Sequence, residues 1–74
     1  MNKNFKKVYI ENKEVSFKDL GQPVMYIPNH AEGNPNHPDT EMGFISTVRD
    51  GSIWVRFTTG DTGSLCNSEN LRWM

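Results

Sequence analysis

Hydrophobic and polar residues alternate on both sides of Asp50-Gly51, in the runs GFISTVR (43–49) and SIWVRFT (52–58). An Asp-Gly pair between two β-prone runs predicts a two-residue hairpin, because a type I′ turn needs positive φ at both central positions. Folding about that pair sets Arg49 opposite Ser52, Val48 opposite Ile53, Ser46 opposite Val55 and Phe44 opposite Phe57. One face then carries Phe44, Ser46, Val48, Ile53, Val55 and Phe57 and is predicted to meet the core. The other carries Ile45, Thr47, Trp54 and Arg56. A bulge at Gly43 or near Ser46 would instead rotate Ile45 inward.

The same patterning predicts a strand over residues 21–28 (GQPVMYIP), with Val24 and Tyr26 on one face and Met25 and Ile27 on the other. Residues 16–21 (SFKDLG) read as one helical turn stopped by Gly21. SENL reads as another, capped by Ser68, and LRWM as a short final edge strand. KVYI and EVSF flank Glu11-Asn12-Lys13 and fit either a small hairpin or a mobile arm. The alternation of Val8, Ile10, Val15 and Phe17 favours the hairpin. Short strands joined by tight turns, with few helix formers, predict an all-β fold. In a chain this short, the solution that protects sheet edges is a small bent barrel of about five antiparallel strands with one or two single helical turns. Residues 17–74 are assigned to that barrel and 1–16 to an N-terminal extension.

Length sharpens this picture: 74 residues make one small domain with a marginal core. The single cysteine, Cys66, excludes an intrachain disulfide and suits a reducing, cytoplasmic setting. The lysine-rich start has no apolar run behind it, so neither a signal peptide nor a membrane span is expected. The formal net charge of −1 is not the strongly basic balance usual for nucleic-acid binders. Lys3, Lys6 and Lys7 nevertheless give the chain a basic beginning.

Three stretches carry candidate chemistry. Asp61-Thr62-Gly63-Ser64 matches the signature around an aspartic-protease carboxylate. That chemistry needs two carboxylates sharing a proton in a buried, rigid loop. Here the approach is Thr58-Thr59-Gly60, a second copy is missing, and the chain lacks the length for a cleft and flap. The stretch therefore reads as a polar turn between strands, and no catalytic activity is expected. The 14-residue stretch 28–41 holds both histidines, His30 and His37, each behind Pro-Asn, with Asp39 and Glu41 nearby. With Cys66 approaching from the far end of the sheet, His30 and His37 are candidate zinc ligands, although the spacing matches no standard zinc module. A long Pro-stiffened loop is also a candidate recognition surface, with His30, Asn34, His37 and Asp39 as its contact residues. The third stretch is the outer hairpin face, where Trp54 and Arg56 are residue types typical of interaction hot spots. Trp54 fits equally a role in covering the N-terminal segment, and Trp73 one in closing the barrel end.

Gly21, Val24, Tyr26, Pro28, His30, His37, Pro38, Asp39, Glu41, Gly43 and Leu71 form a pattern that resembles small phage- and prophage-encoded proteins of uncharacterised activity. The resemblance covers residues 17–73 and implies an SH3-like barrel of the Tudor or KOW sort. Several such sequences carry Cys where this chain has Thr40. With Cys66 that residue completes a two-His, two-Cys set, which this chain lacks.

The expected function is therefore a non-catalytic binding module for another protein, such as a phage-borne modulator of a host protein. It would act through His30, Asn34, His37, Asp39, Trp54 and Arg56, as a monomer or weak homodimer. The alternative is a nucleic-acid-binding module using Lys6, Lys7, Arg49, Arg56 and Arg72 on phosphate, with Trp54 stacking on bases. A further alternative is a small zinc-binding domain.

Overall fold

A computed structural model describes residues 6–60 and 62–74; Lys3 and Asp61 lie outside the described residues. Seven strands and three 3-10 turns follow one another, all strand pairs being antiparallel. Strands β1 (Val8–Ile10) and β2 (Lys13–Val15) form a hairpin of their own. The other five, β3 (Pro23–Tyr26), β4 (Glu41–Arg49), β5 (Ser52–Phe57), β6 (Gly63–Cys66) and β7 (Leu71–Trp73), make a sheet of order β6-β5-β4-β3-β7. The class is all-β. Five strands fall within residues 17–74, one of them, Gly63–Cys66, in a stretch read as a turn; the N-terminal hairpin adds the other two. The ladder leaves β6 and β7 at its two ends, unpaired with each other among the described residues. No helix of the described residues is long and apolar enough to cross a membrane.

The β4–β5 turn forms as its sequence predicts, with Asp50 at φ 50° and Gly51 at φ 83°. Pairing starts as expected with Arg49–Ser52 and Val48–Ile53, and then shifts between Ile45 and Thr47. Ser46 is the extra residue of a bulge. Beyond it Ile45, not Ser46, meets Val55, and Gly43, not Phe44, meets Phe57. The expected core face is corrected accordingly: Ile45 is buried, while Phe44 and Ser46 turn outward. A bulge inserts one residue, and a period of two makes every later side chain change face. Gly43 then lies so close to β5 that an added Cβ would stand 2.7 Å from the Arg56 carbonyl oxygen.

The core cluster unites Val8, Ile10 and Val15 from the N-terminal hairpin with Val24, Ile45, Ile53, Val55 and Leu71 from the inner sheet face. Each such buried aliphatic chain contributes about 1.5–3 kcal/mol of gross transfer energy, so residues 8–15 belong to the core. Glu11 and Asn12, at φ 52° and 70°, make the hairpin turn. Trp73 fastens the hairpin to the sheet: its Nε1 donates to the Ile10 carbonyl (2.8 Å) and its backbone N–H to the Glu11 carboxylate (2.7 Å). Lys13 Nζ lies 4.8 Å above its ring. Trp73 is therefore a structural residue that joins the N-terminal hairpin to β7. Phe17, expected to continue the buried alternation, is 83% exposed. It opens the 3-10 turn Phe17–Asp19, which breaks the strand period.

Two further corrections are local. The turn Ser68–Asn70 is capped one residue early, by Asn67, whose side chain accepts from the Glu69 N–H (3.0 Å). The stretch read as a polar turn gives way at Gly63 to a strand that runs to Cys66. Its small and polar residues hide a partner that β5 supplies.

Candidate functional site

Antiparallel register places directly opposed residues on one face. The outer face of the five-stranded sheet is therefore read off the pairings. Leu65, Trp54 and Thr47 form one row, Gly63, Arg56, Phe44 and Pro23 the next, and Met42, Met25 and Arg72 the third. Leu65, Met42 and Phe44 are 64%, 48% and 42% exposed. Trp54 is half-buried, with the Arg49 guanidinium 5.9 Å from its ring centre. Among the described residues, no aspartate or glutamate occupies an outward position of these strands. The Ser46 bulge and Gly63 open two shallow hollows of about 330 and 280 Å³ between Trp54 on one side and Phe44 and Arg56 on the other. A Cβ on Gly63 would intrude there, 3.2 Å from Ser46 Oγ and 3.4 Å from Trp54 Cβ.

Trp54 and Arg56 thus share the outward face as expected, and sequence patterning missed most of their neighbours. Phe44 reaches it through the bulge and Leu65 through a strand concealed in polar sequence. Tyr26 lies on the opposite face, edge-on to Phe57 at 5.9 Å between ring centres.

The histidine loop is not structureless. Pro28 precedes a 3-10 turn, Asn29–Ala31, that ends on Glu32 at φ 52°, with Gly33 at φ 79°. Ala31 is buried and pins the turn. Successive backbone hydrogen bonds follow, from Asn34 N–H to Ala31 O (3.0 Å), His37 N–H to Asn34 O (3.1 Å) and Thr40 N–H to His37 O (3.0 Å). These turns bring residues 37–39 back over His30. His30 Nε2 and Asp39 Oδ2 are 2.6 Å apart, the two imidazoles pack edge to face at 5.2 Å, and the Asp39 N–H donates to His37 Nδ1 (3.0 Å). Asn34 is exposed; its backbone carbonyl accepts from the Thr40 hydroxyl and its side chain from the Asn36 N–H.

Cys66 does not join this group. Asp39 takes the third place, with one ligand atom from each of His30, His37 and Asp39 lying within 4.8 Å of the others. The Cys66 thiol packs against the core and donates to the Ser64 carbonyl (3.4 Å). Burial pushes its pKa up, a backbone hydrogen bond from Val55 opposes this, and the Glu41 charge adds to the rise. At neutral pH it is a protonated thiol.

The cations proposed for phosphate contact are dispersed. Lys7 pairs with Glu14 at 3.8 Å, and the Arg72 guanidinium turns back onto the carbonyls of Glu69 and Leu71. Lys6 lies against Gly51 at the hairpin tip. Arg49 and Arg56 stand beside Trp54, and Arg72 lies two rows away on the same face. Comparison with protein-family models, curated proteins and solved structures finds no match to this chain.

Proposed function

We propose that this chain is a non-catalytic protein-binding module whose docking surface is the outer sheet face around Trp54, Arg56, Phe44 and Leu65. One observation carries the reading: large apolar side chains and arginines stand together, exposed, on a face without strand-borne carboxylates. Trp, Phe, Met and Arg are the types enriched in protein interfaces, and acidic residues are depleted there. The charge pattern fits a partner whose contact patch is apolar and bordered by aspartate or glutamate. Lys6 and Lys7 belong to the N-terminal segment and Arg72, on the far row of the face, is turned back onto backbone carbonyls, which favours a protein over a phosphate backbone as the ligand. The order β6-β5-β4-β3-β7, with a 3-10 turn before the last strand, supports reading the five-stranded unit as an open SH3-like barrel. The resemblance to phage-borne proteins points to a bacterial host protein as the partner.

Photo-cross-linking tests this. A photo-reactive phenylalanine analogue replaces Phe44 in one preparation and Tyr9, on the N-terminal hairpin, in another. The expected result is a defined protein cross-linked from position 44 and not from position 9. Cross-links from position 44 to nucleic acid, or equal yields from both positions, overturn the reading.

A further inference from the structure

We propose that His30, His37 and Asp39 form a binding site for a divalent transition-metal ion, with Zn²⁺ as the representative probe. Two imidazoles and one carboxylate are a donor set that such ions take, leaving remaining coordination positions to water or to a partner's side chain. The site is distinct from the outer sheet face and independent of its reading.

The loop gathers the donors by bonds that do not involve the metal-binding atoms. Ala31 is buried beneath the 3-10 turn that presents His30, and the turns at Asn34 and His37 are closed by backbone hydrogen bonds. The start of the loop is tied to the fold, because Asn29 Oδ1 accepts from the Asn70 side chain (2.8 Å). Tetrahedral ligands about 2.0–2.1 Å from zinc stand about 3.4 Å apart. The 2.6 Å separation of His30 Nε2 and Asp39 Oδ2, and the 4.8 Å limit on the whole set, therefore require shifts on the order of 1 Å. His30 and Asp39 side chains are 62% and 60% exposed and free to make them. The ion takes the place of the hydrogen now held between His30 and Asp39, and that hydrogen passes to His30 Nδ1 or to solvent. His37 Nδ1 now accepts from the Asp39 N–H, an exposed group that can turn to water. Bound metal would lock residues 29–40 into one arrangement.

Titration calorimetry with Zn²⁺ on the chelator-treated full chain, together with native mass spectrometry, tests the site. One ion per chain is expected. His37→Ala and Asp39→Asn each weaken binding tenfold or more, and Cys66→Ser leaves it unchanged. Circular dichroism of each variant checks that the fold is kept. The Co²⁺ form is expected to show visible d–d bands without a sulfur charge-transfer band. Absence of stoichiometric binding, undiminished affinity in the folded His37→Ala or Asp39→Asn chain, or a sulfur charge-transfer band overturns the proposal.

Discussion

Asn70 and Ile27 hold each other twice across 43 residues of sequence: the Ile27 N–H donates to the Asn70 carbonyl at 2.7 Å, and Asn70 Nδ2 donates to the Ile27 carbonyl at 2.8 Å. Asn70 is buried, and its second side-chain proton goes to Asn29. This one side chain joins the turn before β7 to the chain leaving β3 and to the start of the histidine loop. Asn70→Ala leaves the Ile27 carbonyl without its donor, so a loss of about 1–3 kcal/mol is expected in urea unfolding. Asn70→Asp, which sets a carboxylate against that carbonyl, is expected to cost at least as much.

Gly43 is required by space rather than by backbone angle. A Cβ there meets the Arg56 carbonyl oxygen and Val55 Cγ1, each at 2.7 Å. Gly43→Ala must push β4 from β5, and a loss of about 1–3 kcal/mol is expected. Gly63→Ala meets only Ser46 and Trp54 side chains, at 3.2–3.4 Å. It is expected to destabilise less while narrowing the hollow beside Trp54. Urea midpoints of the two variants, measured side by side, check the order.

Cys66 gives the fold an alkaline limit. Its folded pKa lies above the ordinary 9.0, chiefly through burial. Between the two values the folded state holds more protons than the unfolded one, so stability falls as pH rises. The contribution is complete below about pH 9 and is lost as pH climbs through the raised value. Cys66→Ser is expected to flatten this part of the stability profile. At neutral pH, alkylation of Cys66 is expected to be slower than that of the unfolded chain.

What was legible in the sequence was local. Asp50-Gly51 specifies its turn by backbone chemistry that needs no distant partner, and the hairpin formed there. Alternation alone does not show where β4 gains its extra residue, so it placed Phe44 inside and Ile45 outside. Gly63–Cys66 became strand only because β5 offers it an edge. Trp54 and Arg56 were visible as an outward pair; Phe44, Met42 and Leu65 needed the register. In the loop, His30 and His37 were legible as a pair. Asp39 in place of Cys66 followed from turns at Glu32 and Gly33 that fold residues 37–39 back.

The most direct measurement is the affinity of the purified partner captured from position 44, compared between the natural chain, Arg56→Glu and Tyr9→Ala. Arg56→Glu is expected to weaken binding about tenfold or more with the unfolding midpoint unchanged, and Tyr9→Ala to have no effect. Full affinity in the folded Arg56→Glu chain would contradict a docking role for the outer face.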